Sequence, residues 1–110
     1  MGITKSAHFT EAQNQMAMQL KALAHPARIA ILEFLLKTDS CICGDIVNEL
    51  PLSQATVSQH LKEMKNARII KGTIEGNAIC YCIDQDQFNQ LTQQMVQINE
   101  VLKTKNNQCC

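Results

Sequence analysis

The feature that most constrains this chain is the stretch CICGDIVNELPLSQATVSQHLKEMKNAR, residues 41–68. Pro51 divides it into two helix-length segments, because a proline inside a helix removes a backbone donor and clashes with the preceding turn. The first segment runs from about Cys41 to Leu50, after the capping residues Thr38, Asp39 and Ser40. The second follows Ser53, a good N-cap, and extends to about Asn66. Within it Val57, Leu61 and Met64 recur at four-and-three spacing and face a core. Gln54, Thr56, Ser58, Gln59 and Lys62 are left on the outer side. Such short-reach donors and acceptors suit base edges and phosphates in a DNA groove. Cys41 and Cys43 stand at the start of the first segment, where a helix N-terminus favours the thiolate.

The flanking sequence completes a small helical domain with one hairpin. A first helix is expected over about Thr10 to Ala24, capped by Thr10, with a stripe of Ala12, Met16, Leu20 and Leu23. His25-Pro26 interrupts it, and Pro26 suits the first turn of the next helix, ARIAILEFLLK. There Ile29, Ile31, Leu32, Phe34, Leu35 and Leu36 cover most of the circumference, which predicts a central, buried helix. Beyond Arg68, two β-branched runs flank Glu75-Gly76-Asn77, a hairpin signature. A last helix is expected over about 84–105, with a heptad seam of Phe88, Leu91, Met95, Ile98 and Leu102. At about 1.5–3 kcal/mol per buried large side chain, that seam can hold a second copy of the chain.

Charge and cysteine usage narrow the partners. The net charge is zero, yet residues 53–72 carry Lys62, Lys65, Arg68 and Lys71 against the single acid Glu63. A local basic stripe on a neutral chain is the electrostatic footprint expected of a DNA-reading face. No apolar run approaches the ~20 residues that span a bilayer, and the opening MGITKSAHFTEAQNQ lacks the apolar core of a secretory signal. A cytoplasmic location is expected. The six cysteines form three close pairs, 41/43, 80/82 and 109/110, too near in sequence to bridge within a pair. Reduced thiols able to bind a soft ion are the expectation, with Cys80 and Cys82 ordinary strand residues around Tyr81.

The order helix, helix, helix–turn–helix, wing, helix is the winged helix–turn–helix plan. Over residues 10–105 the chain resembles the ArsR/SmtB family of metal-responsive repressors, through LKALAHPARIAILEFLL, CICGDIVNEL, LSQATVSQHLKEMKNARII and EGNAICYCID. The resemblance implies a mainly α fold with a small β-hairpin, dimerising through its first and last helices. It divides the chain into an arm (1–9), the domain (10–105) and a cysteine-containing tail (106–110). Within the domain the recognition helix covers about 53–66, the wing about 69–83 and the dimerisation helix about 84–105. It further implies a homodimer on double-stranded operator DNA, with no enzymatic activity and no membrane partner. Ser53, Gln54, Thr56, Ser58, Gln59 and His60 would face DNA, with Lys62, Lys65, Arg68 and Lys71 on phosphates. Two recognition helices would then sit about 34–36 Å apart, in successive major grooves.

The resemblance also frames the inducer, since no obligatory cofactor is implied. Family arsenite sensors use a Cys-x-Cys followed by a third cysteine, but Ile46 occupies that place here. Family cadmium and lead sensors draw on arm cysteines, where this chain offers only His8. The zinc positions of the last helix correspond to Asp84, Asp86, Gln97 and Glu100, a set without the nitrogen and sulfur ligands zinc favours. Arsenite or antimonite is therefore the first expectation, bound by Cys41 and Cys43 with Cys109 or Cys110 supplying the third thiolate. Cadmium, lead, zinc or thiol oxidation stands behind it. A thiol carrier or redox enzyme is the remote alternative, because no Cys-x-x-Cys accompanies a βαβ pattern.

Overall fold

Capping side chains set the helix boundaries in the computed structural model, which describes residues 8–37, 50–75 and 78–105. Thr10 opens α1, Glu11–Leu23, with a reciprocal capping box: its hydroxyl accepts from the Gln13 amide at 3.0 Å, and the Gln13 carboxamide accepts from the Thr10 amide at 3.0 Å. His25 is extended, as the residue before a proline must be, and its Nδ1 accepts from the Ala27 amide at 3.0 Å. That imidazole caps α2, Pro26–Leu36. Ser53 caps α3, Gln54–Asn66, and Asp84 caps α4, Gln85–Thr104. The helix expected over about Cys41–Leu50 lies outside the described residues, apart from Leu50.

Strands β1, Ile70–Glu75, and β2, Ala78–Ile83, pair antiparallel in the register Ile70 opposite Ile83 through Glu75 opposite Ala78. The connection is therefore Gly76-Asn77, the pair read as the hairpin tip, which lies outside the described residues. Gly72 stands opposite Tyr81. A Cβ at Gly72 would come within 3.1 Å of Ile79 Cγ2 and 3.3 Å of the Tyr81 ring, so the glycine makes room for cross-strand neighbours.

The core gathers where α1, α2, α3 and the hairpin meet. Ile31, Val57, Met64 and Ile69 are fully buried, with Ile70, Leu61, Leu35, Ala22, Ala67 and Leu91 around them. Each large aliphatic side chain withdrawn in this way stabilises the fold by about 1.5–3 kcal/mol. One expectation needs correction. Helix α2 is not buried all round: Ile29 is 41% exposed and Leu36 68%, because α1, α3 and β2 pack against only part of its circumference. The inward face of α1 centres on Gln19 and Ala22, and Leu20 of the expected stripe is 40% exposed. Gln19 tolerates burial because its amide donates to the Ala67 carbonyl at 3.3 Å.

The seam of α4 divides along its length. Leu91 is buried and Phe88 packs against the core, while Met95, Ile98 and Leu102 are about half exposed. Val96 and Val101 widen that outer apolar face. Replacing Gln19 with leucine keeps the volume but removes the donor to Ala67. Unfolding free energy is expected to fall by about 1 kcal/mol, read from urea melts at unchanged slope. A more stable variant would show that the hydrogen bond contributes nothing.

Candidate DNA interface

The interface begins with how α3 is held. Val57, His60, Leu61 and Met64 lie on one face at three-and-four spacing, and all four are buried. The opposite face carries Gln54, Thr56, Ser58, Gln59 and Lys62, every one exposed. At its N-terminus the Ser53 hydroxyl accepts from the Thr56 amide at 3.2 Å and lies 2.9 Å from the Thr56 hydroxyl. The first turn holds no acidic residue. The positive end of the helix dipole is thus open to a phosphate.

His60 does not belong to this outer face. It was expected at the DNA-facing end, but it is 8% exposed and its Nδ1 accepts from Arg28 Nε at 3.0 Å. The reason is periodicity: position 60 lies three residues after Val57 and four before Met64, on the core side of α3. Burial, then the nearby charge of Arg28 and of His25, holds its pKa below the ordinary histidine value, with Glu63 pulling weakly the other way.

The basic stripe is fully displayed. Lys62, Lys65, Arg68 and Lys71 are all exposed. The single acid among them is already occupied: Glu63 accepts from Gln59 at 3.0 Å and from Arg28 at 3.1 Å. Those hydrogen bonds, Gln59 first, keep its carboxyl below the usual carboxylate range. Arg28 thereby offsets the charge that would oppose DNA phosphates. This arginine drew no attention in the sequence, although a lone cation in PARIAILEFLL was the available signal.

Arg68 follows the end of α3 in an unusual conformation. Its φ is 64°, in the left-handed region that favours glycine. The Ile69 amide donates to the Met64 carbonyl and the Arg68 amide to the Lys65 carbonyl, both at 3.0 Å. This is the paired hydrogen bonding of a Schellman cap, with Ile69 and Met64 both buried as its apolar contact.

The expected thiolate ligands Cys41, Cys43, Cys109 and Cys110 lie outside the described residues. Among the described residues, no group of three or more histidine, cysteine or acidic side chains could hold a metal ion. Asp84 is engaged in capping α4, where it accepts from the Gln87 amide at 3.3 Å, and Glu100 pairs with Lys103 at 3.5 Å. One cysteine departs from expectation. Cys80 is 1% exposed and disulfide-bonded, so it is neither a reduced thiol nor an ordinary strand residue.

A helix with a polar outer face, backed by a basic stripe and followed by a two-stranded wing, defines a winged helix–turn–helix regulator. The family model for bacterial regulatory proteins of the arsR family matches residues 25–71. A cadmium resistance transcriptional regulatory protein CadC homolog from Staphylococcus aureus is 37% identical over 84 residues, covering 74% of this chain and 69% of that protein. An arsenical resistance operon repressor from Staphylococcus xylosus is 27% identical over 85 residues, covering 77% and 81% respectively. The homodimeric winged helix–turn–helix DNA-binding domain of a possible ArsR-family regulator from Mycobacterium bovis superimposes with a TM-score of 0.62. It is 25% identical and covers 80% of this chain and 82% of that one. The chain belongs to the ArsR family: it is a DNA-binding transcriptional regulator, not an enzyme. No helix of the described residues is long and apolar enough to cross a membrane.

Replacing Arg68 with glycine separates backbone cost from charge. A non-glycine residue in the left-handed region costs about 1 kcal/mol, so the variant is expected to gain up to that much in thermal unfolding. Its DNA affinity should fall across all sequences, and the salt dependence should weaken by about one phosphate contact. Unchanged salt dependence would remove Arg68 from the interface.

Proposed function

We propose that this chain is an operator-binding repressor that releases DNA when trivalent arsenic or antimony binds its cysteine thiolates. The observation that carries the DNA half is the division of α3: an apolar face anchored in the core and an outer face of exposed short polar side chains. Ser53, Gln54, Thr56, Ser58 and Gln59 read or flank base edges, and Lys62, Lys65, Arg68 and Lys71 grip phosphates. Residues 10–105 act as one domain in the cytoplasm and pair with a second copy through α1 and α4. The exposed Met95, Val96, Ile98, Val101 and Leu102 support that pairing, as does the homodimeric Mycobacterium bovis relative.

The inducer half rests on sequence chemistry. Trivalent arsenic is three-coordinate and thiophilic, Cys41 and Cys43 supply two thiolates, and Cys109 or Cys110 supplies the third. The arsenical relative supports this ion, while the cadmium relative keeps cadmium, with lead and zinc, as the alternative within the same reading. Drawing Cys41 and Cys43 around an ion would distort the helix expected before α3 and misalign the two DNA-reading heads. The coupling required is modest, since about 1–3 kcal/mol gives 5–150-fold release.

A second reading keeps the repressor but replaces the ion with oxidation, and the disulfide at Cys80 favours it. Two thiols would give two electrons and two protons to a hydroperoxide, leaving a disulfide, an alcohol and water. Operator release, followed by fluorescence anisotropy, separates the readings. Under a phosphine reductant, which offers no competing thiol, arsenite is expected to weaken binding at least about 5-fold in the wild type. It should not do so in Cys41→Ser/Cys43→Ser, and the response of Cys109→Ser/Cys110→Ser should be blunted. Release by hydroperoxide alone, reversed by reductant, would instead establish the second reading; release by cadmium, lead or zinc but not arsenite would replace the ion.

A further inference from the structure

Arg28 is the one cation of α2, and its side chain is only 12% exposed. Its guanidinium reaches three acceptors on two other helices. Nη1 donates to the Ala22 carbonyl in the last turn of α1 at 3.1 Å, Nε donates to His60 Nδ1 at 3.0 Å, and Nη2 donates to Glu63 Oε1 at 3.1 Å. One side chain therefore ties α1 and α2 to the buried and exposed edges of the recognition helix.

The contact with His60 has a fixed polarity. Arginine stays protonated in proteins, so its Nε–H is always a donor. His60 Nδ1 must then be the acceptor, which assigns the ring proton of the neutral imidazole to Nε2. His25 is held the same way, its Nδ1 accepting from the Ala27 amide, and the two rings lie 4.6 Å apart at a tilt of 55°. A proton added at His60 Nδ1 would face the Arg28 donor and place a second positive charge beside the guanidinium.

We propose that Arg28 and His60 form a proton-sensitive clamp that positions the recognition helix, so that DNA binding weakens as His60 becomes protonated. The inference rests on the DNA-binding reading of α3 and goes beyond it. The groups facing the imidazole are Arg28 and His25 from α2 and its cap, and Glu63 from α3 itself. Lys21 of α1 lines the adjoining cleft of about 720 Å³ with His25, Arg28, Gln59 and Glu63. The charged side chain of β1 nearest in sequence, Lys71, is exposed. Of these, Glu63 alone favours the proton, and it is about half exposed and already engaged by Arg28 and Gln59.

The sign follows from the neutral acceptor. Burial and Arg28 hold the folded-state pKa of His60 below its ordinary value of 6.5. The unfolded chain then binds the proton more readily. The clamp's contribution is complete above about pH 6.5 and is lost as pH falls from there through the lower folded value.

His60→Asn tests this, because the asparagine carbonyl can stand where Nδ1 does and cannot titrate. Duplexes selected by the wild type from a random-sequence pool near pH 7.5 serve as the probe. The readout is each protein's ratio of Kd near pH 5.5 to Kd near pH 7.5, so a variant that binds more weakly throughout still reports. A wild-type ratio at least about 5-fold above that of His60→Asn is expected, since the two proteins differ at position 60 alone. Equal ratios overturn the clamp. Thermal melts across the same pH range give an independent check: the wild type should lose stability below about pH 6.5 more steeply than the variant, and parallel profiles overturn the proposal without any DNA. A chain that selects no duplex at either pH overturns the DNA-binding reading and the clamp's effect on DNA, while the melts still decide whether the clamp takes up a proton.

Discussion

A guanidinium that is nearly buried has to find acceptors, and in this molecule that requirement fixes how three helices meet. Withdrawing a charged group from water is costly unless its donors are satisfied. Arg28 meets the condition with a carbonyl of α1, an imidazole of α3 and a carboxylate of α3. Apolar burial of Ile31, Val57, Leu61 and Met64 drives the helices together but is indifferent to small rotations. Directional hydrogen bonds are not. The arginine therefore contributes orientation where the core contributes adhesion, and orientation is what a helix presented to a DNA groove requires.

Much of this was legible from the chain alone, for reasons that differ by element. Cap residues were readable because their chemistry is local: Thr10 and Ser53 each accept from a backbone amide three residues on, and Asp84, read only as the start of the last helix, does the same. The hairpin was readable because its alternation and turn residues are local too. The outer face of α3 followed from the spacing of Val57, Leu61 and Met64. His60 was misjudged because polarity was weighed above period, although its position relative to Val57 and Met64 already placed it inward. Gln19 was missed for the same reason. What covers a buried polar side chain is a tertiary matter, and Arg28 lies 32 residues from His60 in sequence. The exposure of Ile29 and Leu36 and the disulfide at Cys80 likewise depend on neighbours that no local pattern names.

The heptad seam of α4 teaches a related lesson. Its period was correct, yet one stripe serves two environments: Phe88 and Leu91 anchor the helix to its own core, and Met95, Ile98 and Leu102 stand away from it. A repeat fixes which residues share a face, not what that face meets. The answer changes along the helix because the core occupies only its first half, while at about 1.5 Å per residue the remaining turns extend well past it.

The pairing of Gly72 with Tyr81 has an optical consequence. The chain has one tyrosine and no tryptophan, so fluorescence excited beyond the phenylalanine absorption band arises from a single ring in the wing. That ring packs against the core on one side and lies over the open glycine position on the other. Its emission reports the hairpin and the face of the core that the hairpin covers, whereas far-ultraviolet dichroism weighs the helices most. Comparing the two signals during denaturation would reveal whether wing and helical body melt as one unit, with no label or added chromophore.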